Sequence, residues 1–206
     1  MRSWASPANR VVFVTGGSGR GKAALLNEFA RRAMAQHAGL LVASGNCNAF
    51  SGLGDPYLPF REALGLLTGD VQARWAAGTI SREHALRLWR ALPLALQALV
   101  EHGPHVVPAL LPGPALLSRA KAVVPPGSSW LQRLTERVER QAAHSDSMEQ
   151  SHLFQQVTNL LRTLTEAHPL LLILDDLQWV DTASAWTGPR PTPPAASPAI
   201  GSGPWS

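Results

Sequence analysis

Residues 11–24, VVFVTGGSGRGKAA, restrict the folds open to this chain more than any other stretch. Four consecutive apolar residues, three of them β-branched and with no polar alternation, read as a strand buried on both faces. Glycines beyond it let the backbone curl so that successive N–H groups converge on one point. A helix starting there adds its positive end, which suits a phosphate. Gly16, Gly21 and Lys22 stand in the register of a phosphate-binding loop, which runs Gly, four residues, Gly-Lys and then Ser or Thr. The last place holds Ala23, which has no hydroxyl.

Behind the loop, Ala23, Leu26, Ala30 and Ala33, joined by Leu25, Phe29 and Met34, recur at helical spacing. Gly39 is a natural stop. LLVAS at 40–44 follows as a second short strand. Strand, glycine loop, helix and strand form a βαβ unit, and hence predict a parallel α/β sheet. From about 59 to 123 the pattern turns helical, with Pro93 expected to end or kink one helix. Trp75 and Trp89 are expected to pack between helices. A further amphipathic helix is predicted over 146–168, with Asp146 and Glu149 resembling a capping box. It stops at Pro169, and LLLIL at 170–174 reads as a third buried strand.

That strand runs directly into Asp175 and Asp176. A carboxylate at the end of a buried strand can hold Mg²⁺, usually through water, and a second can orient or deprotonate an attacking water. Asp is also common where a strand enters a turn, but a phosphate loop upstream favours the metal role. The last twenty residues hold six prolines and three glycines. Such a segment buries too little to offset its ordering entropy and is expected to be disordered.

Composition closes off other classes. One cysteine, Cys47, permits no intrachain disulfide and fits a reducing compartment. There is no run of ~18 apolar residues for a membrane span and no apolar signal-peptide core, so a cytoplasmic location is expected. The net charge of +4 is spread out, with no basic stripe, so direct nucleic-acid binding by this segment is not expected. His102 and His105 lack a ligand cluster, and Cys47 lacks the setting of a catalytic thiol.

VVFVTGGSGRGKAALLNEFARRA, GDPYLPFREAL and HPLLLILDDLQWVDTAS together resemble one family over about residues 10–185. It is the AAA-type, Orc1-like ATPase domain of large bacterial signalling and transcription-regulating ATPases, the STAND group. The resemblance implies a three-layer P-loop NTPase of the ASCE type. Its parallel sheet would be incomplete here, with a helical region at 59–166 inserted and a Pro-rich tail at 186–206. It implies binding of ATP with Mg²⁺ as a conformational switch. The phosphate cradle would comprise Gly16, Gly17, Ser18, Gly19, Arg20, Gly21, Lys22, Ala23 and Ala24. Asp175 maps to the Mg²⁺-associated carboxylate, Asp176 to the catalytic acid, and Lys22 to the residue that meets the β- and γ-phosphates.

The chain departs from that pattern at three places. Ala23 removes a Mg²⁺ ligand, so weak or no hydrolysis is expected. Only about ten residues precede the first predicted strand, where the family carries a Gly-Arg-Glu motif that helps hold adenine. The composition changes after Ala185, as it would in a truncated or frameshifted reading frame. An alternative follows: a nonfunctional remnant, or a helical fragment that binds a protein partner or itself without nucleotide turnover. A small-molecule kinase shares the loop but fits the Asp175-Asp176 segment less well.

Overall fold

The computed structural model describes residues 10–47, 57–125, 127–141 and 150–176. The order is α1 (Lys22–Gln36), β1 (Leu41–Asn46), α2 (Leu58–Leu67), α3 (Gln72–Ala76), α4 (Arg82–His102), α5 (Val106–Leu110), α6 (Gly113–Val123), α7 (Ser129–Gln141), α8 (Gln150–Ala167) and β2 (Leu170–Asp175). This is a mostly helical α/β fold with a small parallel sheet. β1 and β2 pair from Leu41 opposite Leu170 to Asn46 opposite Asp175. Both runs were legible as buried strands. The predicted cap at Asp146 and Glu149 and the tail at 186–206 lie outside the described residues.

Side chains alternate across the sheet, as the two-residue period requires. Val42, Leu171 and Ile173 meet Ala30, Ala33 and Met34 of α1. Leu41, Ala43, Leu170 and Leu172 belong to the larger core built on the helical region. The centre of that core is α4, where Leu88, Leu92, Leu96 and Leu99 are wholly buried and form one helical stripe. Leu116, Leu134, Leu160 and Leu164 close on the same core from α6, α7 and α8. Ser81 caps α4 by accepting from His84 N–H at 3.1 Å. Pro93 does not end α4, which continues through it to His102. A proline removes one backbone bond of the helix, and burial of the leucine stripe on both sides of it holds the turns together.

Three expectations are corrected. Val11–Val14 form no strand and lie exposed, Val12 at 79%. Strand propensity is realised only with a ladder partner and a buried face. The two-stranded sheet gives this segment neither. On α1, Leu25 and Phe29 are exposed, the latter at 56%, because only the Ala30–Met34 side reaches the sheet. Trp75 is also exposed, whereas Trp89 packs against the main core.

The outer edge of β1 is closed by side chains rather than by a strand. Leu41 N–H donates to Pro169 O and Cys47 N–H to Asp175 O, so the odd-numbered residues of β1 face β2. The even-numbered ones face outward, where Val42 O lies 2.8 Å from His84 Nε2 and Asn46 N–H donates to Glu62 Oε2 at 3.0 Å. Arg87 adds a bond to His37 O at 3.0 Å and pairs with Glu83, tying α4 to the turn between α1 and β1.

His84 is buried, and a carbonyl partner requires its Nε2 to carry the proton. Burial pushes its pKa below the ordinary 6.5, the bond to Val42 opposes this, and Arg87 and Arg74 push it further down. The unfolded chain therefore takes up this proton before the folded chain does. Stability falls as pH drops below about 6.5 and levels off below the folded value. Thermal melts between about pH 7 and pH 5 should show this decline, and His84→Gln should flatten it. Equal slopes for both proteins would contradict the assignment.

Candidate functional site

The glycine loop presents a bare helix start. Gly19 and Gly21 have φ of 72° and 79°, a left-handed region that side-chain-bearing residues avoid. Gly21 caps α1 without any side-chain acceptor, and the first turn holds no acidic residue. The helical ladder opens with Leu25 N–H donating to Gly21 O at 2.9 Å. The N–H groups of Lys22, Ala23 and Ala24 thus have no acceptor within the helix. Lys22 Nζ folds back over the loop and donates to Gly16 O at 3.1 Å and Gly17 O at 3.2 Å. Its charge is thereby held against the loop's carbonyls at an exposed position. Ser18 and Arg20 lie in the same exposed turn, which Arg20 N–H closes onto Gly17 O at 3.4 Å.

Asp175 ends β2, and Asp176 follows it with φ 57°. That left-handed conformation is one Asp tolerates better than most residues. Asp175 Oδ1 accepts from Asp176 N–H at 2.9 Å, leaving Oδ2 for other partners. These carboxylates stand at the carboxyl end of the sheet. α1 has 15 residues and β1 has 6, about 22 Å and about 20 Å long respectively. Only residues 37–40 join them, and α1 meets the sheet through Ala30, Ala33 and Met34 of its second half. Ligands of parallel α/β sheets bind at the carboxyl end.

Other polar groups gather there that the sequence did not single out. Glu62 of α2 and Arg74 of α3 pair at 3.0 Å beside Ser44 and Asn46 of β1. Cys47 is buried next to them, and its thiol is pushed up by burial and then by the charges of Asp176, Glu62 and Asp175. Such surroundings suppress a thiolate nucleophile. Among the described residues no group of three or more His, Cys, Asp or Glu could hold a metal ion. What the site offers Mg²⁺ is one strand-end carboxylate, which suits an ion that keeps most of its waters and arrives on phosphate oxygens.

Two features lie apart from this end. A depression of about 400 Å³ is lined by Lys121, Leu131, Gln132, Thr135 and Glu136 of α6 and α7 and includes none of the residues above. On α1, Glu28 is held down at about 2 by Arg31 and then Arg32, which donate to its carboxylate at 2.7 Å. No helix among the described residues is long and apolar enough to cross a membrane.

Comparison with known proteins gives one family. The match is to the AAA ATPase domain and spans residues 2–187. No curated protein and no solved structure matches the chain. The matched span takes in the glycine loop, both strands and every helix described. The chain belongs to the AAA ATPase domain family.

Proposed function

We propose that this chain is a cytoplasmic, regulatory P-loop ATPase domain of the Orc1-like, STAND type, which binds Mg-ATP as a switch and hydrolyses it weakly or not at all. The observation that carries this reading is the uncapped start of α1 behind left-handed glycines, with Lys22 folded over the loop. Residues Gly16 to Ala24 then supply N–H donors to the phosphates, and Lys22 adds a point charge. Asp175 would hold the nucleotide's Mg²⁺ through water, and Asp176 would orient the attacking water. Mg²⁺, when bound, would neutralise charge on the phosphate oxygens. Ala23 cannot offer the usual hydroxyl to the ion, so phosphate binding survives better than turnover.

Adding ATP with Mg²⁺ should raise the melting temperature of the full chain, by the equivalent of about 2.7 kcal/mol at a hundredfold excess over Kd. Phosphate release should stay near background. Ala23→Thr should tighten binding in Mg²⁺ but not in EDTA. A melt that ATP leaves unmoved would overturn the nucleotide reading, and brisk Mg²⁺-dependent release by the unmodified chain would overturn the role given to Ala23. A second reading is an interaction fragment that associates with a partner or itself. It draws on the exposed Val11–Val14, Leu25 and Phe29, since apolar patches on a surface mark contact sites. It predicts a melt that depends on protein concentration and not on ATP.

A further inference from the structure

The acidic end of β2 is fixed from outside its own strand. Cys47 N–H donates to Asp175 O at 3.1 Å as the last rung between the strands, and Asp175 stands opposite Asn46. Where that rung lies depends on what holds the end of β1. On the outward side, Asn46 N–H donates to Glu62 Oε2 at 3.0 Å. The same oxygen accepts from Arg74 Nη2 at 3.0 Å, and Arg74 Nη1 reaches Ser44 Oγ at 3.4 Å. One carboxylate from α2 and one guanidinium from α3 thus grip the last residues of β1 and, through one rung, Asp175. Both side chains are 32% exposed, so the pair adds little stability of its own. What it supplies is position.

We infer that Glu62 and Arg74 are positioning residues for the Asp175 carboxylate, and that they set how strongly binding of a nucleoside triphosphate depends on its divalent cation. The inference rests on the role given to Asp175 above. Mg²⁺ demands near-octahedral geometry, so a small shift of one carboxylate is felt by the metal. The phosphate cradle is built separately, from the loop and α1, and does not feel it. Because α2 and α3 belong to the helical region, a movement of that region would change the metal dependence of the site without touching the cradle.

The test uses the full chain with Glu62→Ala, Arg74→Ala and Glu62→Gln. ATP affinity is measured in Mg²⁺ and in EDTA, and exchange of the Cys47 amide is followed by NMR. Both alanine variants should lose several-fold of the Mg²⁺-dependent part of the affinity, less than the roughly 10-fold or more that direct partners of metal ligands carry, with little change in EDTA. Glu62→Gln keeps an acceptor for Asn46 and should recover most of the loss. The Cys47 amide should exchange faster in Glu62→Ala than in the unmodified chain. Unchanged Mg²⁺ dependence in both alanine variants, or unchanged Cys47 exchange, overturns the inference. If the unmodified chain binds ATP in neither buffer, the nucleotide reading falls with the metal role, and the exchange comparison alone judges the grip on β1. Should Glu62→Ala fail to fold, Glu62→Gln against Arg74→Ala decides the same question.

Discussion

Lys22→Ala is expected to abolish measurable ATP binding while leaving the fold intact. Among the described residues the side chain donates to Gly16 O and Gly17 O, on an exposed loop outside both buried clusters. Its removal therefore costs little in folding. For a bound nucleotide the loss is large, because the amine is a side-chain cation folded over the loop. Two charge-assisted bonds at about 1.5–3 kcal/mol each amount to a hundredfold or more in affinity. Isothermal titration and thermal melts of both proteins check this: equal melting temperatures without ATP and a shift with ATP only in the unmodified chain. Equal binding by both would remove Lys22 from the site. Lys22→Arg separates charge from shape, since a guanidinium keeps the charge but presents a planar fork in place of a compact ammonium.

The parts of this molecule that were legible in the sequence are those written in contiguous residues. LLVA at 40–43 and LLLIL at 170–174 are unbroken apolar runs that begin after Gly39 and Pro169, and each gives a strand. The glycine loop is a local device, so spacing alone locates Gly19, Gly21 and Lys22 at a helix start. VVFV has the composition of a strand too, but a strand is defined by a partner elsewhere in the chain, and nothing in those four residues specifies one. That Pro93 does not end α4 has a related reason: the leucines on both sides of it pack in one core with α6, α7 and α8. The Glu62–Arg74 grip joins three elements across residues 44–74. No spacing rule within one element could have found it.

Gly45 is the plainest case of a requirement set from a distance, and its replacement should have the largest effect on folding. In LLVASGN it reads only as a residue near a strand end. In the fold, a Cβ at Gly45 would stand 1.9 Å from Pro59 O and 2.6 Å from Pro59 C. Those are backbone atoms in the first turn of α2, so no side-chain rotation relieves the clash. Gly45→Ala must drive β1 and α2 apart, opening the contact of Leu41 and Ala43 with Ala63, Leu64 and Leu67 and stretching the Asn46–Glu62 bond. The cost should reach at least the upper end for overpacking, about 3 kcal/mol. For a chain of this size that lowers the melting temperature by roughly 6–12 °C. Gly39→Ala is the control, since a Cβ there meets Pro169 Cδ at an ordinary 3.9 Å and should melt close to the unmodified chain. A Gly45→Ala protein that melted with its control would mean that α2 does not lie against β1 as described. The grip on Asp175 would then lose its footing, because Glu62 reaches Asn46 only from that position of α2.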